Sequence, residues 1–185
     1  MDTSFSDELA RIVGYAREEA MRTGHYGLTP DHLVLGILRH GANPACDALK
    51  RLGINLKQFK EYIDSQVFRP DPVPYADEGR VGLTRGSHST LNMAVFESFK
   101  AGGSHPDSSH LLLAVSRTTG NASADFFKAR GIGYREIAGA LLLASPAKQA
   151  GPEAVVPAAE EMAEAIEAEI RRTMSEAPVK SKYIS

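Results

Sequence analysis

The chain has 185 residues, of which 43% are hydrophobic, which is enough apolar material for a folded core and excludes a disordered protein. Its 21 basic and 23 acidic residues give a net charge of −2, so electrostatic capture of nucleic acid or of a membrane surface is not expected. The single cysteine, Cys46, excludes an internal disulfide and a zinc site built on paired cysteines. With no apolar segment long enough to span a membrane and no signal peptide, we expect a cytoplasmic protein.

The first part of the chain carries the patterns of four helices. Apolar residues at three- and four-residue spacing predict the first helix over 6–23, with a serine as N-cap and Gly24 after its end. The second helix begins at Thr29-Pro30-Asp31, which places a cap, a proline and an acid where a helix start favours them. The third and fourth helices are predicted at about 43–52 and 56–68.

The helical unit then occurs a second time. A linker, 69–82, carries three prolines at alternate positions, which favour an extended connector over a helix. Residues 83–141 align with residues 5–63 without a gap, and 12 of the 59 aligned positions are identical. Unrelated sequences share about one position in 15 to 20. The sequence therefore predicts two tandem four-helix repeats, 5–68 and 83–145.

The composition changes beyond this predicted domain, which covers 1–145. Residues 146–185 are predicted to contain a flexible tether, an amphipathic helix at about 157–175 and a disordered tail. The apolar stripe of the helix is narrow and rich in alanine. It can pack on its own domain, pair with another chain or dock on a partner, and the sequence leaves these alternatives open.

Two motifs in the first repeat carry a resemblance to a known family. Gly24-His25, a short loop and the segment TPDHLVLGI at 29–37 are similar to the Clp N repeat of Clp-type AAA+ unfoldases, particularly the ClpC and ClpA branch. The second repeat matches this motif at Gly102 and at 107–115. Over residues 5–145 the resemblance implies an all-α domain of eight helices with pseudo-twofold symmetry.

The motifs needed for catalysis are missing. No segment matches the Gly-x-x-x-x-Gly-Lys-Ser/Thr loop of an ATPase, so we expect a free-standing N domain that cannot hydrolyse ATP. Cys46 has no evident base nearby and is expected to be buried. His32 and His110 are expected to bond to the preceding loop or helix start, and no metal or other cofactor is predicted.

The resemblance implies where ligands bind. In the family, peptides and adaptors contact the start of the first helix of each repeat and the seam between the repeats. The matching residues and the basic residues beside them are Phe5, Ser6, Leu83, Thr84, Arg80 and Arg85.

A second implied contact is the recognition of phosphorylated arginine by a glutamate just before the histidine of each repeat. A carboxylate can pair with a guanidinium-like group in bidentate fashion. In this chain the two positions hold Asp31, which is one methylene shorter, and Ser109, which has no charge. Phosphoarginine recognition is therefore disfavoured at Asp31 and not expected at Ser109.

Together these observations predict a non-enzymatic protein- or peptide-binding module. Its expected partners are Clp ATPase or protease components, adaptors, protein substrates or peptide-like small molecules, without nucleic acid or membrane. It would modulate delivery of these partners to a Clp ATPase–protease. The alternative is a Clp N-like domain that acts as a regulator outside proteolysis, with the C-terminal helix mediating dimerisation or docking. The expected state is a monomer or a weak dimer through that helix.

Overall fold

The computed structural model describes residues 4–103, 105–144 and 159–176. The predicted tether and tail lie outside these residues. The all-α prediction is confirmed. The elements in chain order are α1 (Asp7–Arg22), β1 (Gly27–Leu28), α2 (Pro30–His40), α3 (Pro44–Arg51), α4 (Leu56–Val67), a 3₁₀ helix (Tyr75–Arg80), β2 (Gly82–Leu83), α5 (Arg85–Lys100), α6 (Ser108–Ser116), α7 (Ala122–Ala129), α8 (Tyr134–Ala144) and α9 (Ala159–Glu176).

The helix starts are set by side-chain caps that recur at the 78-residue spacing. The side chains of Ser6 and Thr84 accept backbone N–H groups in the first turns of α1 and α5, at 3.0 and 3.2 Å. Those of Asn43 and Asn121 do the same for α3 and α7, at 2.9 and 2.8 Å. Each such bond satisfies an N–H that the helix itself leaves unpaired. The matching caps are consistent with the duplication seen in the sequence.

The two halves share one core. Phe59 of α4 stacks on Phe126 of α7 with ring centroids 4.5 Å apart, and α3 packs against α8. Within the first half, α1 and α2 cross closely at Gly36. A Cβ at this glycine would lie 2.5 Å from the carbonyl oxygen of Ile12, so a larger residue would push the helices apart.

The linker differs from the extended connector predicted for 69–82. Its middle forms the 3₁₀ helix and its end forms β2, which pairs in parallel with β1 through Gly27–Gly82 and Leu28–Leu83. Val73 is buried, and its N–H donates to the Met21 carbonyl at 2.9 Å. The extended prediction was therefore wrong for residues 75–80, because these contacts with the first repeat fix the backbone.

The C-terminal helix, α9, packs on its own domain, which was one of the three alternatives left open by the sequence. It lies against α1 and α5, with Ile166 and Ile170 buried. Among the described helices, none is both long and apolar enough to cross a membrane.

Candidate ligand-binding surface

The starts of α1 and α5 occupy equivalent places in the two halves. The Ser6 N–H donates to the Pro106 carbonyl at 3.1 Å, and the Thr84 N–H donates to the Leu28 carbonyl at the same distance. Each first helix therefore begins beside the second helix of the other repeat. Two groups of predicted site residues result: Phe5, Ser6 and Ser109 lie near the starts of α1 and α6, while Asp31, Leu83, Thr84 and Arg85 lie near the starts of α2 and α5.

Asp31 is held inside this arrangement by α7. Its carboxylate accepts the N–H groups of Ala122 and Ser123 at 3.0 and 2.9 Å, and the Ser123 hydroxyl at 2.7 Å. The side chain is buried. A carboxylate at a helix N-terminus is favoured by the unpaired N–H groups and by the helix dipole. This geometry makes Asp31 a cap for α7 rather than an open ligand contact.

The equivalent position in the second repeat shows why Ser109 can replace an acid. The counterpart of Ala122 is Pro44, whose nitrogen carries no hydrogen and needs no acceptor. The counterpart of Ser123 is Ala45, whose N–H lies 3.4 Å from the Ser108 hydroxyl. The carboxylate is thus missing where two of its three donors, the first N–H and the serine hydroxyl, are also missing.

A second capping contact is also present in only one of the two equivalent places. Glu8 of α1 accepts the Ser108 N–H at the start of α6, at 2.9 Å. The equivalent residues are Gly86, which has no side chain, and Pro30, which has no N–H. A Cβ at Gly86 would lie 3.6 Å from the Pro30 ring. The asymmetry between the repeats therefore reflects two capping contacts that are present in one direction only.

The start of α1 is covered by α9. Phe5 is buried, and its N–H donates to the Glu169 carboxylate at 3.0 Å. Ser6 is half-buried and caps α1. The Arg17 guanidinium donates to the Met174 carbonyl near the end of α9 and to Glu78 at 3.0 Å.

The start of α5 remains partly open under α9. Leu83 is half-buried beside a cavity of about 310 Å³, which His88 of α5 lines from the domain side. Glu167, Ile170, Arg171 and Met174 of α9 line the other side. The imidazole Nε2 of His88 lies 3.8 Å from the Glu167 carboxylate.

The basic residues at this surface reach solvent. Arg80 is 71% exposed, with its guanidinium 4.8 Å from the centre of the Tyr26 ring and 3.6 Å from Asp77. The Tyr26 hydroxyl donates to Asp77 at 2.6 Å, which raises the pKa of Tyr26. Arg85 is exposed in the first turn of α5. These side chains place two guanidinium groups at the edge of the surface.

The two histidines brace helix starts, as expected from the sequence. The Thr29 N–H donates to His32 Nδ1 at 3.0 Å, and the Asp107 N–H donates to His110 Nδ1 at the same distance. His32 Nε2 lies 2.9 Å from the Thr23 hydroxyl and carries the proton in this arrangement. Burial, and then the neighbouring His25, lower the pKa of His32 to about 3. His32 therefore stays neutral at physiological pH.

The remaining candidates for chemistry are enclosed. Cys46 is fully buried, its Sγ lies 3.4 Å from the Ile37 carbonyl, and burial raises the pKa of the thiol to about 11. Within residues 4–103, 105–144 and 159–176, no group of three or more His, Cys, Asp or Glu side chains is placed to hold a metal ion.

Sequence reasoning missed Glu169 and His88. A glutamate within a highly charged helix is ordinarily solvent-exposed, so no pattern marked Glu169 as buried. His88 lies in a polar stretch at the start of α5 without any motif. The contacts of both residues depend on the position of α9 across the two repeats, which the sequence alone does not specify.

Comparison with known proteins identifies related sequences and folds. The model of the family described as Clp repeat (R) N-terminal domain matches residues 4–130. The negative regulator of genetic competence ClpC/MecB of Bacillus subtilis is 26% identical over 113 residues, which is 61% of this chain and 14% of that protein. The chloroplastic chaperone protein ClpC3 of Oryza sativa subsp. japonica is 28% identical over 119 residues, covering 64% of this chain and 12% of that protein.

Solved structures show the same fold. The N-terminal domain of Hsp104 from Candida albicans has a TM-score of 0.62 and 18% identity, covering 75% of this chain and 89% of that one. The N-terminal domain of the caseinolytic protease associated chaperone ClpD from Arabidopsis thaliana has a TM-score of 0.58 and 15% identity, covering 77% and 98%. The match to the sequence relatives is thus confined to a small part of each, whereas the match to the solved domains covers nearly all of them.

Proposed function

The chain belongs to the Clp repeat (R) N-terminal domain family, and we propose that it is a protein- and peptide-binding module without enzymatic activity. The proposed contact surface, called the seam surface below, comprises Phe5, Ser6, Arg80 and the segment 83–85. Its partners are substrates or adaptors of a Clp ATPase, whose delivery to the protease the chain modulates.

One observation carries this proposal: the seam surface already holds a helical segment. The helix α9 lies across the starts of α1 and α5, and it contributes apolar side chains together with a carboxylate bonded to a backbone N–H. A surface that accommodates one amphipathic segment has the shape and the donors needed for a peptide. The exposed Arg80 and Arg85 add charge that attracts acidic partners.

The proposed absence of catalysis rests on the state of the reactive side chains. The Cys46 thiol is buried and has a raised pKa, and His32 is neutral with both ring nitrogens engaged. A nucleophile or general base must reach a substrate. Neither group lies at the seam surface.

The alternative role, a regulator that dimerises through its C-terminal helix, gains no specific support. Ile166 and Ile170, which such a dimer would use, are buried against the chain's own domain. A dimer through this stripe first requires α9 to leave its place.

Site-specific photo-crosslinking tests the proposed function. The full chain is prepared with benzoylphenylalanine at Arg85, and separately at Lys57, which is exposed on α4 outside the seam surface. Each protein is irradiated with a purified ClpC-type ATPase and, in a second reaction, with unfolded casein. We expect crosslinks from position 85 and none from position 57. Absence of crosslinks from position 85 in both reactions, or equal yields from the two positions, would contradict the proposal.

A further inference from the structure

The inward face of α9 carries both apolar and polar groups. Ile166, Glu169, Ile170 and Thr173 are each less than 9% exposed and follow the three- and four-residue spacing of one helix face. The Glu169 carboxylate accepts the Phe5 N–H at 3.0 Å and also pairs with Arg172 of its own helix. The helix is therefore anchored by two isoleucines and one charge-assisted hydrogen bond to the main chain.

The packing of α9 includes unfavourable contacts, which make its replacement by another helix easier. The Thr173 hydroxyl is buried, and its oxygen has no hydrogen-bond partner among the described residues. Burying an unpaired hydroxyl and a carboxylate opposes the gain from burying the isoleucines. A helix held under these conditions can be displaced by a segment with similar anchors.

The surface beneath α9 also keeps a second donor available. Gly82 and Thr84 direct their N–H groups to the carbonyls of Tyr26 and Leu28, so the intervening Leu83 N–H points away from β1. Leu83 is the counterpart of Phe5 in the second repeat and lines the cavity beside His88. Its N–H has no acceptor in the part of the chain that the structure describes. An acidic side chain of a partner can bind there as Glu169 binds at Phe5.

The charge of α9 is opposite to that of the exposed arginines near the surface beneath it. The helix contains six glutamates and two arginines, a net charge of −4. It lies beside Leu83 and His88, and the exposed Arg80 and Arg85 flank Leu83 in the chain. A partner that replaces α9 therefore resembles it: an acidic helix with isoleucines on either side of an anchoring glutamate.

We propose that α9 is a displaceable ligand, built into the chain, of a helix-binding groove over the starts of α1 and α5, and that acidic amphipathic helices of other proteins compete for this groove. The inference rests on the proposed function, since it names the class of partner and the regulation of the same surface. Because α9 belongs to the same chain as the groove, its effective concentration there is on the order of millimolar. Partners with low affinity for the groove therefore do not displace α9, whereas helices that make the same contacts as α9 can displace it.

Fluorescence anisotropy tests the proposal with full-length protein. The probe is a fluorescein-labelled peptide with the sequence of residues 159–176. In the chain variant Ile170→Asp the attached helix is disfavoured in the groove, while the groove itself is unchanged. The variant Ala168→Asp places the same charge on the exposed face of α9 and serves as the matched control. Glu169→Ala is a milder second variant, and circular dichroism checks that all variants fold.

We expect the probe to bind the I170D chain at least tenfold more tightly than the wild-type or A168D chain, with E169A between them. A probe carrying glutamine in place of the residue equivalent to Glu169 should bind the I170D chain at least fivefold more weakly. An unrelated acidic helix with the Ile-x-x-Glu-Ile spacing should bind it within about tenfold of the original probe. Equal affinities for wild-type and I170D chains, or binding that depends neither on the glutamate nor on the spacing, would overturn the proposal.

Two further outcomes separate this proposal from others. A wild-type chain that sediments as a dimer, while the I170D chain is a monomer, would show exchange of α9 between copies and overturn the in-chain assignment. Crosslinking of casein or the ATPase from position 85, together with equal affinities of the probe for the wild-type and I170D chains, would overturn this inference and leave the proposed function standing. Tighter binding of the probe to the I170D chain without those crosslinks would overturn the proposed function alone.

Discussion

Replacing Asp31 tests the capping role of this residue and the asymmetry between the repeats. In the variant Asp31→Ala, α7 loses three hydrogen bonds, from the Ala122 and Ser123 N–H groups and from the Ser123 hydroxyl. Hydrogen bonds to a charged group contribute about 1.5–3 kcal/mol each, and the desolvation of the buried carboxylate offsets part of this sum. We expect a net loss of about 2–4 kcal/mol in the free energy of unfolding.

Urea unfolding followed by circular dichroism at 222 nm measures this loss. The matched control is Asp125→Ala, which removes an exposed acid from the first turn of the same helix and should cost less than about 1 kcal/mol. If the two variants lose the same stability, the carboxylate of Asp31 does not cap α7 and the reasoning is refuted.

A double-mutant cycle sharpens the test. Ala122→Pro places at α7 the proline that the first repeat has at Pro44, and Asp31→Ser supplies the residue type of Ser109. Proline is well accommodated at the first position of a helix and removes the N–H that would lose its acceptor. We expect the pair to cost about 1 kcal/mol less than the sum of the single substitutions. Strict additivity would show that the proline and the missing acid are unrelated.

Three other predictions follow from the core. Gly36→Ala should destabilise the fold by about 1–3 kcal/mol, because the added Cβ meets the backbone of Ile12. Gly139→Ala has open space around it and should stabilise α8 by about 1 kcal/mol or less. Urea unfolding that shows a change of the same sign for both variants would contradict the close crossing of α1 and α2. The free energy of unfolding should fall by about 2 kcal/mol between pH 7 and pH 5, because His32 takes up a proton near its ordinary pKa of 6.5 in the unfolded chain but only near 3 in the folded protein. The variant His32→Gln should lack this pH-dependent loss, and the same pH slope in the variant and the wild type would contradict the prediction. The Cys46 thiol should react with a disulfide reagent at pH 8 only as fast as the protein unfolds, and rapid labelling of the folded protein would show that it is accessible.

Much of the fold follows from local signals in the sequence. Caps such as Ser6 and Asn43, and glycines such as Gly24 with a positive φ of 82°, mark helix ends through interactions within a few residues of chain. The 78-residue duplication indicates which parts of the two halves are equivalent. The short strands β1 and β2 were missed, because two residues give no period and the pairing depends on contacts far apart in sequence.

The candidate surface was less predictable than the fold. Asp31 has the pattern of an acid in a first helical turn, and nothing local shows that its partners lie in α7 of the other repeat. Phe5 gives no local sign that α9 covers it. The narrow stripe of α9 fits three different docking modes, and the choice depends on the shape of the surface across both repeats. Local residues thus determine the helices, while the seam surface depends on how those helices meet.

The most direct test of the central claim is the affinity of the full chain for unfolded casein when the charge of the seam surface is reversed. The double variant Arg80→Asp/Arg85→Asp changes this surface, and Arg51→Asp/Arg135→Asp makes the same change at exposed positions elsewhere. If the seam surface is the binding site, the first variant binds labelled casein at least tenfold more weakly than wild type and the second binds normally. Equal affinities for the two variants would contradict the assignment of protein binding to this surface.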